Sequence, residues 1–361
     1  MKFRKIFAVS AAVAMLASFT ACSKDEGGTD SGKPYVAVVS KGFQHQFWQV
    51  VKKGAEQAAK DYGVEITFDG PPTESDINEQ VNMLNNAMTK NPKAICLAAL
   101  DTESVLDQLN ECKNKGIPVI GFDSGVPNAP EGSIYATAST DNYAAAAIAA
   151  EQLFANADFQ AKLKAGNVTV AVLSQDATSD SIIQRTTGFI ETLTKKIEAM
   201  DGFSGAVEVV GHDKYKKAAD GTAKVTIKVN VPATTSAADM KTGAEALLKD
   251  APVAIYGSNE NAAGGILSAS NDGQDFADSG KYQDIIAIGF DAGATQRTAV
   301  ENGWFYGSVT QDPYQIGYKA VELAAKAIKG EKAESAVIDT GAKWYNAELL
   351  KDESISELVY K

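Results

Sequence analysis

Residues 35–59 read YVAVVSKGFQHQFWQVVKKGAEQAA and are the most informative part of the chain. Its first five residues are rich in β-branched side chains and predict a buried strand, which breaks into a polar loop at Lys41. Apolar residues at helical spacing then predict a helix, so Phe47 and Trp48 lie where a strand passes into a helix. Ligands of open parallel sheets bind at that edge, outside the carboxyl ends of the strands. The alternative is that both rings belong to the core.

The alternation of strand and helix patterns continues through most of the chain. Further strands are predicted at residues 64–68, 94–99, 118–122, 168–173, 253–256, 285–290 and 305–309. Helical patterns fill the gaps between them. Such alternation predicts an α/β fold of parallel sheets, with right-handed crossovers and helices on both faces. Residues 198–231 break the rhythm, and their two weak strand patterns predict an insertion or an extended hairpin.

Composition limits the class of function. The 361 residues carry a net charge of −12, which becomes −15 when the three basic residues near the start are set aside. Because nucleic-acid binders need a basic surface, no nucleic-acid partner is expected. After residue 22 no apolar stretch approaches membrane-spanning length, and the remaining chain is long enough for two domains.

Cys96 and Cys112 are expected to be buried free thiols, with a disulfide between them as the alternative.

Residues 1–22 have the features of a targeting segment. A basic start, a short apolar run and a small-residue stretch precede Cys22. The placement of Cys22 resembles a bacterial lipobox, in which the cysteine becomes the lipidated first residue, although Phe19 departs from the usual leucine. Ordinary secretion is the alternative. Residues 23–33 then form a flexible tether, and the protein is expected outside the cytoplasm, on the cell membrane or facing the periplasm, with a lipid anchor as its only membrane contact.

Polar and aromatic side chains follow the predicted strands at the edge where the strands end. Those singled out are His45, Phe47, Trp48, Asp101, Asp123, Ser124, Asp141, Arg185, Asn259, Asp291 and Gln311. Each has a simpler explanation alone: Asp141 or Asn259 could cap a helix, and Arg185 could form a surface ion pair. Together they suit a polyhydroxylated ligand, because sugar hydroxyls donate to carboxylates and accept from guanidinium and amide groups. Aromatic rings pack against the apolar faces of a sugar.

Several motifs give the chain a resemblance to a known family. They are FW at 47–48 before KGA at 53–55, FDS at 122–124, TDN at 140–142, RTTGF at 185–189, SNEN at 258–261, GFD at 289–291 and QDPYQIG at 311–317. In this order and spacing they make residues 35–345 resemble the type I periplasmic solute-binding proteins, in the ribose-binding-like group that serves ABC sugar importers. The resemblance implies an α/β fold of two doubly wound parallel-sheet lobes, joined by a three-segment hinge that closes on the ligand.

The resemblance also implies lobe limits. The first lobe would comprise residues 34–140 and 312–338, and the second lobe residues 141–311 and 339–361, with the insertion at about 198–231. Crossings are expected near residues 139–140, 311–312 and 338–339.

Carried over by position, the resemblance assigns ligand contacts to both lobes. His45, Phe47, Trp48 and Asp123 would bind from the first lobe, and Arg185, Asn259, Asp291 and Gln311 from the second. Asp101 remains a candidate from its place at a strand end, and Asp141 from its place at the start of a helix. Ser124 stands where ribose binders carry an arginine, His45 where they carry an asparagine, and Trp48 where they carry a phenylalanine. These departures leave a different pentose, a hexose or a polyol open.

The predicted function is that of an extracytoplasmic substrate-binding lipoprotein of an ABC importer, which binds a monosaccharide and delivers it to a permease. The alternative is a sensory binding protein that presents a sugar, a nucleoside or a furanose-like signal to a chemoreceptor or sensor kinase. The protein is expected to be a monomer without metal or cofactor.

An enzyme is not expected. Only two histidines, His45 and His212, are present, and neither belongs to a catalytic or metal-ligating pattern. Asp123 and Asp291 could in principle act as a glycosidase pair, but arginine and amide partners would keep both ionised. Regulators with the same fold need a basic helix-turn-helix where this chain has a targeting segment.

Overall fold

The computed structural model describes residues 32–43, 45–356 and 358–360. The predicted targeting segment and Cys22 lie outside the described residues. All the elements below belong to the unit Pro34–Lys361. Among the described helices, none is both long enough and apolar enough to cross a membrane.

Thirteen strands and eleven α-helices make up the described fold. The strands are β1 (Tyr35–Val39), β2 (Glu65–Asp69), β3 (Ala94–Leu97), β4 (Val119–Phe122), β5 (Ile134–Ser139), β6 (Val168–Leu173), β7 (Val207–Val210), β8 (Val225–Asn230), β9 (Ala254–Gly257), β10 (Ile286–Phe290), β11 (Gly307–Gln311), β12 (Val337–Asp339) and β13 (Ala342–Tyr345). The helices are α1 (Gln46–Tyr62), α2 (Ile77–Thr89), α3 (Leu106–Asn114), α4 (Asn142–Ala155), α5 (Ala157–Ala165), α6 (Asp180–Glu198), α7 (Ala237–Leu248), α8 (Glu260–Ala269), α9 (Ala294–Glu301), α10 (Pro313–Ile328) and α11 (Glu353–Ser356). Short 3₁₀ helices lie at Asp213–Tyr215, Gln274–Phe276 and Leu349–Lys351.

The strands form two sheets. The first sheet has the order β12-β5-β4-β3-β1-β2, and the second has the order β13-β11-β10-β9-β6-β8-β7. Neighbouring strands are parallel throughout, except that β13 runs antiparallel to β11. Central strands such as β3, β4 and β9 are fully buried, as strands covered by helices on both faces must be. The predicted α/β fold with two parallel sheets is confirmed.

The chain crosses between the sheets three times. It leaves the first sheet after β5 and enters α4, which packs on β10 and β11 of the second sheet. It returns after β11 into α10, which packs on β3, β4 and β5, and it crosses again between β12 and β13. Hydrogen bonds join two of these crossings: Asp141 N donates to Asp339 Oδ1 at 3.0 Å, and Thr340 N donates to Ser139 O at 3.0 Å. We call the parts built on the first and second sheets the first and second lobes; their residue limits stay a prediction.

The first helix forms where the opening stretch predicts it. Trp48, Val51, Ala55 and Ala58 are buried along one face of α1, and the helix ends at Gly63 in the left-handed conformation that terminates many helices.

The sequence patterns miss or misassign several strands. β5, β12 and β13 were not predicted, because β5 is built largely from alanine, serine and threonine and the other two span three and four residues. The hairpin alternative for residues 198–231 is wrong, since β7 and β8 pair in parallel at the edge of the second sheet. A short hairpin loop would have paired them antiparallel, whereas the long connection between them lets the chain return in the same direction.

Cys96 and Cys112 are both buried and unpaired, as expected.

Two glycines set the distance between α1 and α10. A Cβ atom on Gly54 would lie 2.0 Å from the carbonyl oxygen of Tyr314, and one on Gly317 would lie 1.9 Å from that of Val51. Both distances are far below any real contact, and the obstacle is backbone that a rotamer change cannot move.

Gly54→Ala or Gly317→Ala should therefore lower the free energy of unfolding by about 3 kcal/mol, because the two helices must move apart. Gly264→Ala on α8 is the matched control, since its added Cβ meets no atom within 4 Å. That control should gain about 0.5–1 kcal/mol from the better helix propensity of alanine. Urea denaturation measures the free energy of unfolding of the three variants. Equal values for all three would show that the close approach of α1 and α10 does not need glycine at these positions.

Candidate functional site

Two aspartates end central strands of the two sheets in the same local sequence. The tripeptide GFD occurs at residues 121–123 after β4 and at 289–291 after β10. Asp123 has φ 58° and Asp291 has φ 77°, a left-handed conformation that aspartate tolerates better than most residues. A serine from the neighbouring strand fixes each turn: Ser139 donates to the carbonyl of Asp123 at 2.8 Å, and Ser308 donates to that of Asp291 at 2.9 Å. Backbone strain of this kind concentrates at functional sites.

A narrow cavity lies where the carboxyl ends of the two sheets face each other. Its lining residues are Lys41, His45, Phe47, Trp48, Glu74, Asp123, Ile182, Arg185, Asn259, Glu260, Asp291 and Gln311. Eight of the nine residues carried over from the family resemblance are in this set; Ser124 is the exception. The structure thus brings together side chains that are up to 270 positions apart in the chain, from Lys41 to Gln311.

Three sequence candidates do not line this cavity. Ser124 is buried, and its hydroxyl accepts from the backbone N–H of Ser181 at 3.3 Å. Asp101 Oδ1 accepts from the N–H and the hydroxyl of Ser104, both at 2.7 Å. Asp141 caps α4 by accepting from the N–H of Ala144 at 2.9 Å. The capping alternative thus describes Asp141, whereas Asn259 both caps α8 and lines the cavity.

Four lining residues were not predicted: Lys41, Glu74, Ile182 and Glu260. Lys41 lies two residues after the end of β1, so the rule that placed aspartates at strand ends could have found it. Glu260 follows Asn259 and opens α8. Glu74 lies in the loop between β2 and α2, and no pattern in the sequence distinguishes it from an exposed loop residue.

Lys41 supplies a buried positive charge on the first lobe. Its Nζ lies 3.0 Å from Asp123 Oδ2 and 3.1 Å from the hydroxyl of Ser181 on the second lobe. Burial alone would lower the pKa of Lys41, but the carboxylates of Asp123, Glu74 and Asp176 outweigh it and bring the pKa above its usual value. The ammonium therefore stays charged at neutral pH.

Glu74 connects the aromatic wall of the cavity to the opposite lobe. Its two carboxylate oxygens accept from Trp48 Nε1 at 2.7 Å and from Gln175 Nε2 at 2.9 Å. Burial raises the pKa of Glu74, but Lys41, His45 and these two donors together bring it below its usual value. Glu74 is therefore an ionised acceptor that both lobes hold.

Asp291 is the centre of the polar network on the second lobe. Its Oδ1 accepts from Gln311 Nε2 at 2.6 Å, and its Oδ2 accepts from the backbone N–H of Glu260 at 3.0 Å. Arg185 Nη1 lies 3.5 Å from Oδ2, and the guanidinium stacks 4.1 Å from the centre of the Phe290 ring. These contacts fix the Asp291 carboxylate and the Arg185 guanidinium without any ligand.

Glu260 is a carboxyl group without a cationic partner at hydrogen-bond distance in the described structure. Burial raises its pKa to about 7; His45 and the backbone N–H groups of Phe47 and Gln46 act to lower it, and Asp291 acts to raise it. Since those N–H groups belong to the start of α1, Glu260 reaches from the second lobe to the first.

The aromatic pair serves both the core and the cavity. Phe47 and Trp48 are 6% and 1% exposed, so the core alternative is correct as far as burial goes. Both rings nevertheless line the cavity, and they meet edge to face with centroids 4.9 Å apart. They offer an apolar wall beside the charged groups.

Three buried polar atoms of the cavity residues have no hydrogen-bond partner in the described part of the chain. They are His45 Nε2, Glu260 Oε2 and Gln311 Oε1. Such atoms are uncommon in folded proteins, because each forfeits its hydration without compensation. Two of the three are oxygens that can accept, so the cavity is complementary to a ligand that offers hydrogen-bond donors.

Comparison with known proteins extends this description. Residues 36–332 match the family model described as periplasmic binding protein domain. The chain is 26% identical over 300 residues to the D-allose-binding periplasmic protein of Escherichia coli, covering 82% of this chain and 85% of that protein.

Two solved structures resemble the whole fold. One, named as an ABC transporter, LacI family transcriptional regulator from Brachyspira murdochii, is 40% identical with a TM-score of 0.74, covering 91% of this chain and 99% of that one. The other, an ABC transporter solute binding protein from Agrobacterium vitis with bound D-fucose, is 26% identical with a TM-score of 0.72, covering 90% and 100%. The family match spans most of the described chain. The chain therefore belongs to the periplasmic binding protein family, as its motifs imply.

Proposed function

We propose that this protein is the extracytoplasmic substrate-binding component of an ABC importer and binds a monosaccharide in the cavity between its lobes. The observation that carries this proposal is the set of buried polar atoms without partners, which belong to cavity residues of both lobes. The names of the similar proteins support it, since they describe a D-allose-binding protein and a solute-binding protein with D-fucose bound.

A sugar satisfies both kinds of group that the cavity presents. Its hydroxyls donate to the carboxylates of Asp123, Glu260 and Asp291, while Lys41 and Arg185 donate back to the hydroxyl oxygens. Phe47 and Trp48 pack against the apolar faces of the ring. Because the ligand contacts both lobes at once, it favours the closed arrangement, which the permease then recognises.

The predicted lobe limits and lipid anchor are part of this proposal. The lobe limits, residues 34–140 with 312–338 and residues 141–311 with 339–361, are supported by the sheet to which each strand belongs. The anchor is supported by the small residues before Cys22.

Metabolic labelling with a clickable fatty acid tests the anchor. The wild-type protein should take up the label, and Cys22→Ser should abolish it because the acylated thiol is lost. Cys112→Ser, which removes a buried thiol of the folded domain, should keep the label. No label in the wild type would favour ordinary secretion, whereas label that persists in Cys22→Ser would place the acyl chain on another residue.

Sugar binding is tested with charge-removing variants that preserve the backbone. Asp123→Asn and Asp291→Asn should each weaken binding by roughly 10- to 100-fold, because each replaces a charged acceptor by a neutral amide. Asparagine also tolerates the left-handed conformation, so the turns should persist. A thermal-shift screen of pentoses, hexoses, polyols and nucleosides identifies the ligand, and calorimetry then measures affinity.

The control for these variants is Asp141→Asn. It caps α4 outside the cavity, and asparagine caps a helix as well as aspartate does. Its affinity should equal that of the wild type. A nucleoside as the only ligand, or full affinity in both cavity variants, would rule out the proposed sugar site.

The high pKa of Glu260 predicts pH-dependent stability. The folded pKa is about 7 against an ordinary value of 4.5, so the folded state retains a proton that the unfolded state has lost between these values. Stability contributed by this group is therefore complete at low pH and is lost as the pH rises through 7.

Glu260→Gln should exceed the wild type in unfolding free energy by roughly 2–3 kcal/mol at about pH 8, and this difference should vanish near pH 4. Denaturant titrations at several pH values measure it. Glu56→Gln, on the exposed surface of α1, is the control and should show no such gain. If Glu260→Gln and the wild type differed in unfolding free energy by the same amount at every pH, the high pKa of Glu260 would be contradicted.

A further inference from the structure

The chain beyond the family match returns to residues that line the cavity. After β13 it passes through α11 and reaches residues 358–360, which we call the C-terminal strap. Val359 and Tyr360 are 6% and 1% exposed, so this segment is packed into the fold. The family model matches residues 36–332, and the strap lies outside that match.

Three hydrogen bonds fix the strap to the second lobe. Thr310 Oγ1 on β11 donates to the carbonyl of Leu358 at 3.2 Å. The N–H of Tyr360 donates to the carbonyl of Ala292, just after β10, at 3.3 Å. Arg297 Nη1 on α9 donates to the carbonyl of Tyr360 at 3.0 Å. The backbone of Tyr360 is thus held from both sides, and its side chain has a defined position.

The side chain of Tyr360 contacts one cavity residue from each lobe. Its hydroxyl lies 3.3 Å from Asp291 Oδ1, and its ring lies 6.1 Å from that of Phe47 at an interplanar angle of 60°. Burial, followed by the charges of Asp291 and Glu260, raises the pKa of Tyr360 well above its usual value. The hydroxyl therefore remains protonated and donates to the carboxylate.

This contact completes the set of donors around Asp291. A carboxylate has about four lone-pair positions. Gln311 and Tyr360 donate to Oδ1, while the Glu260 N–H and the Arg185 guanidinium lie on Oδ2. At 3.3 Å the tyrosine bond is longer than that of Gln311 at 2.6 Å, so a ligand hydroxyl can share Oδ1 with both donors.

We propose that Tyr360 is a positioning residue for the ligand, which orients the Asp291 carboxylate through its hydroxyl and supports the Phe47 ring through its own ring. The inference depends on the proposed function, because Asp291 and Phe47 are its proposed sugar contacts. The strap is then part of the binding site, and the fit of the ligand hydroxyl at Asp291 depends on it.

A second buried tyrosine provides the matched control. Tyr345 is fully buried and also donates its hydroxyl to Asp291, but to the backbone carbonyl at 2.8 Å instead of the carboxylate. Removing either hydroxyl deletes one buried hydrogen bond beside the same residue. Only the loss of the Tyr360 hydroxyl removes a hydrogen-bond donor from the Asp291 carboxylate.

The experiment compares Tyr360→Phe, Tyr345→Phe and wild type by calorimetry. The probes are D-allose, D-ribose, D-fucose, D-galactose and D-glucose, together with the deoxy analogues of whichever binds most tightly. The deoxy analogues identify the sugar hydroxyl that binds Asp291. Loss of that hydroxyl weakens the binding of the sugar to the wild type but not to the Asp291→Asn variant. Tyr360→Phe should bind the parent sugar about tenfold more weakly, the effect expected for one hydrogen bond to a charged group.

Discrimination between the parent sugar and its deoxy analogue distinguishes a positioning role of Tyr360 from a purely structural one. Tyr360→Phe should also reduce the ratio of affinities for the parent sugar and that deoxy analogue, whereas Tyr345→Phe should leave the ratio unchanged. Melting temperatures without sugar check that both variants are folded. Because phenylalanine keeps the ring, Tyr360→Phe should retain the packing of the strap.

Each outcome bears on a different claim. Wild-type affinity and discrimination in Tyr360→Phe would overturn the inference while leaving the sugar-binding proposal intact. A loss of affinity with unchanged discrimination would show a merely structural role and would also overturn it. Failure of the wild type to bind any of the sugars would overturn the proposed function itself, and this inference with it.

Discussion

The cavity depends on keeping two carboxylates charged away from water. A buried charge is costly unless it is paired and hydrogen-bonded, and each lobe meets this requirement with a cation. Lys41 lies beside Asp123, and Arg185 lies beside Asp291. The positive backbone angles of the two aspartates are part of the same arrangement, because the left-handed turn ends each strand at the cavity. A serine on the next strand then holds the turn.

Polar contacts between the lobes surround this pair of charges. Gln175 reaches Glu74, Lys41 reaches Ser181, and the side chain of Gln46 accepts from the N–H at the start of α9. Polar contacts of this kind exchange readily with water, so opening the cleft replaces them at little cost. Apolar contacts also cross this boundary, since one buried cluster contains residues of both lobes and the Phe47 ring lies near that of Tyr360. The polar contacts are therefore the part of the boundary that we expect to respond to a ligand.

Sequence patterns predict the fold well where long apolar runs alternate with amphipathic helices. The rule that ligands bind beyond the carboxyl ends of parallel strands then places most cavity residues without coordinates. It fails for Glu74, which lies in a loop, and for Tyr360, which reaches the site from the far end of the chain. Neither position carries a local signal, since tertiary packing alone brings it to the cavity. The edge strands β12 and β13 are missed for a related reason: their pairing depends on neighbours that are distant in sequence.

The charge balance of the cavity limits the kind of ligand it can hold. Four carboxyl groups line it, those of Glu74, Asp123, Glu260 and Asp291, against the two cations Lys41 and Arg185. Both cations already lie beside aspartates, so a sugar acid or a sugar phosphate would find no free positive charge among the lining residues and would meet several negative ones. Neutral hydroxyls avoid that repulsion and donate to the oxygens that lack partners. The same balance that keeps the folded cavity stable therefore favours an uncharged polyol or sugar over an anionic one.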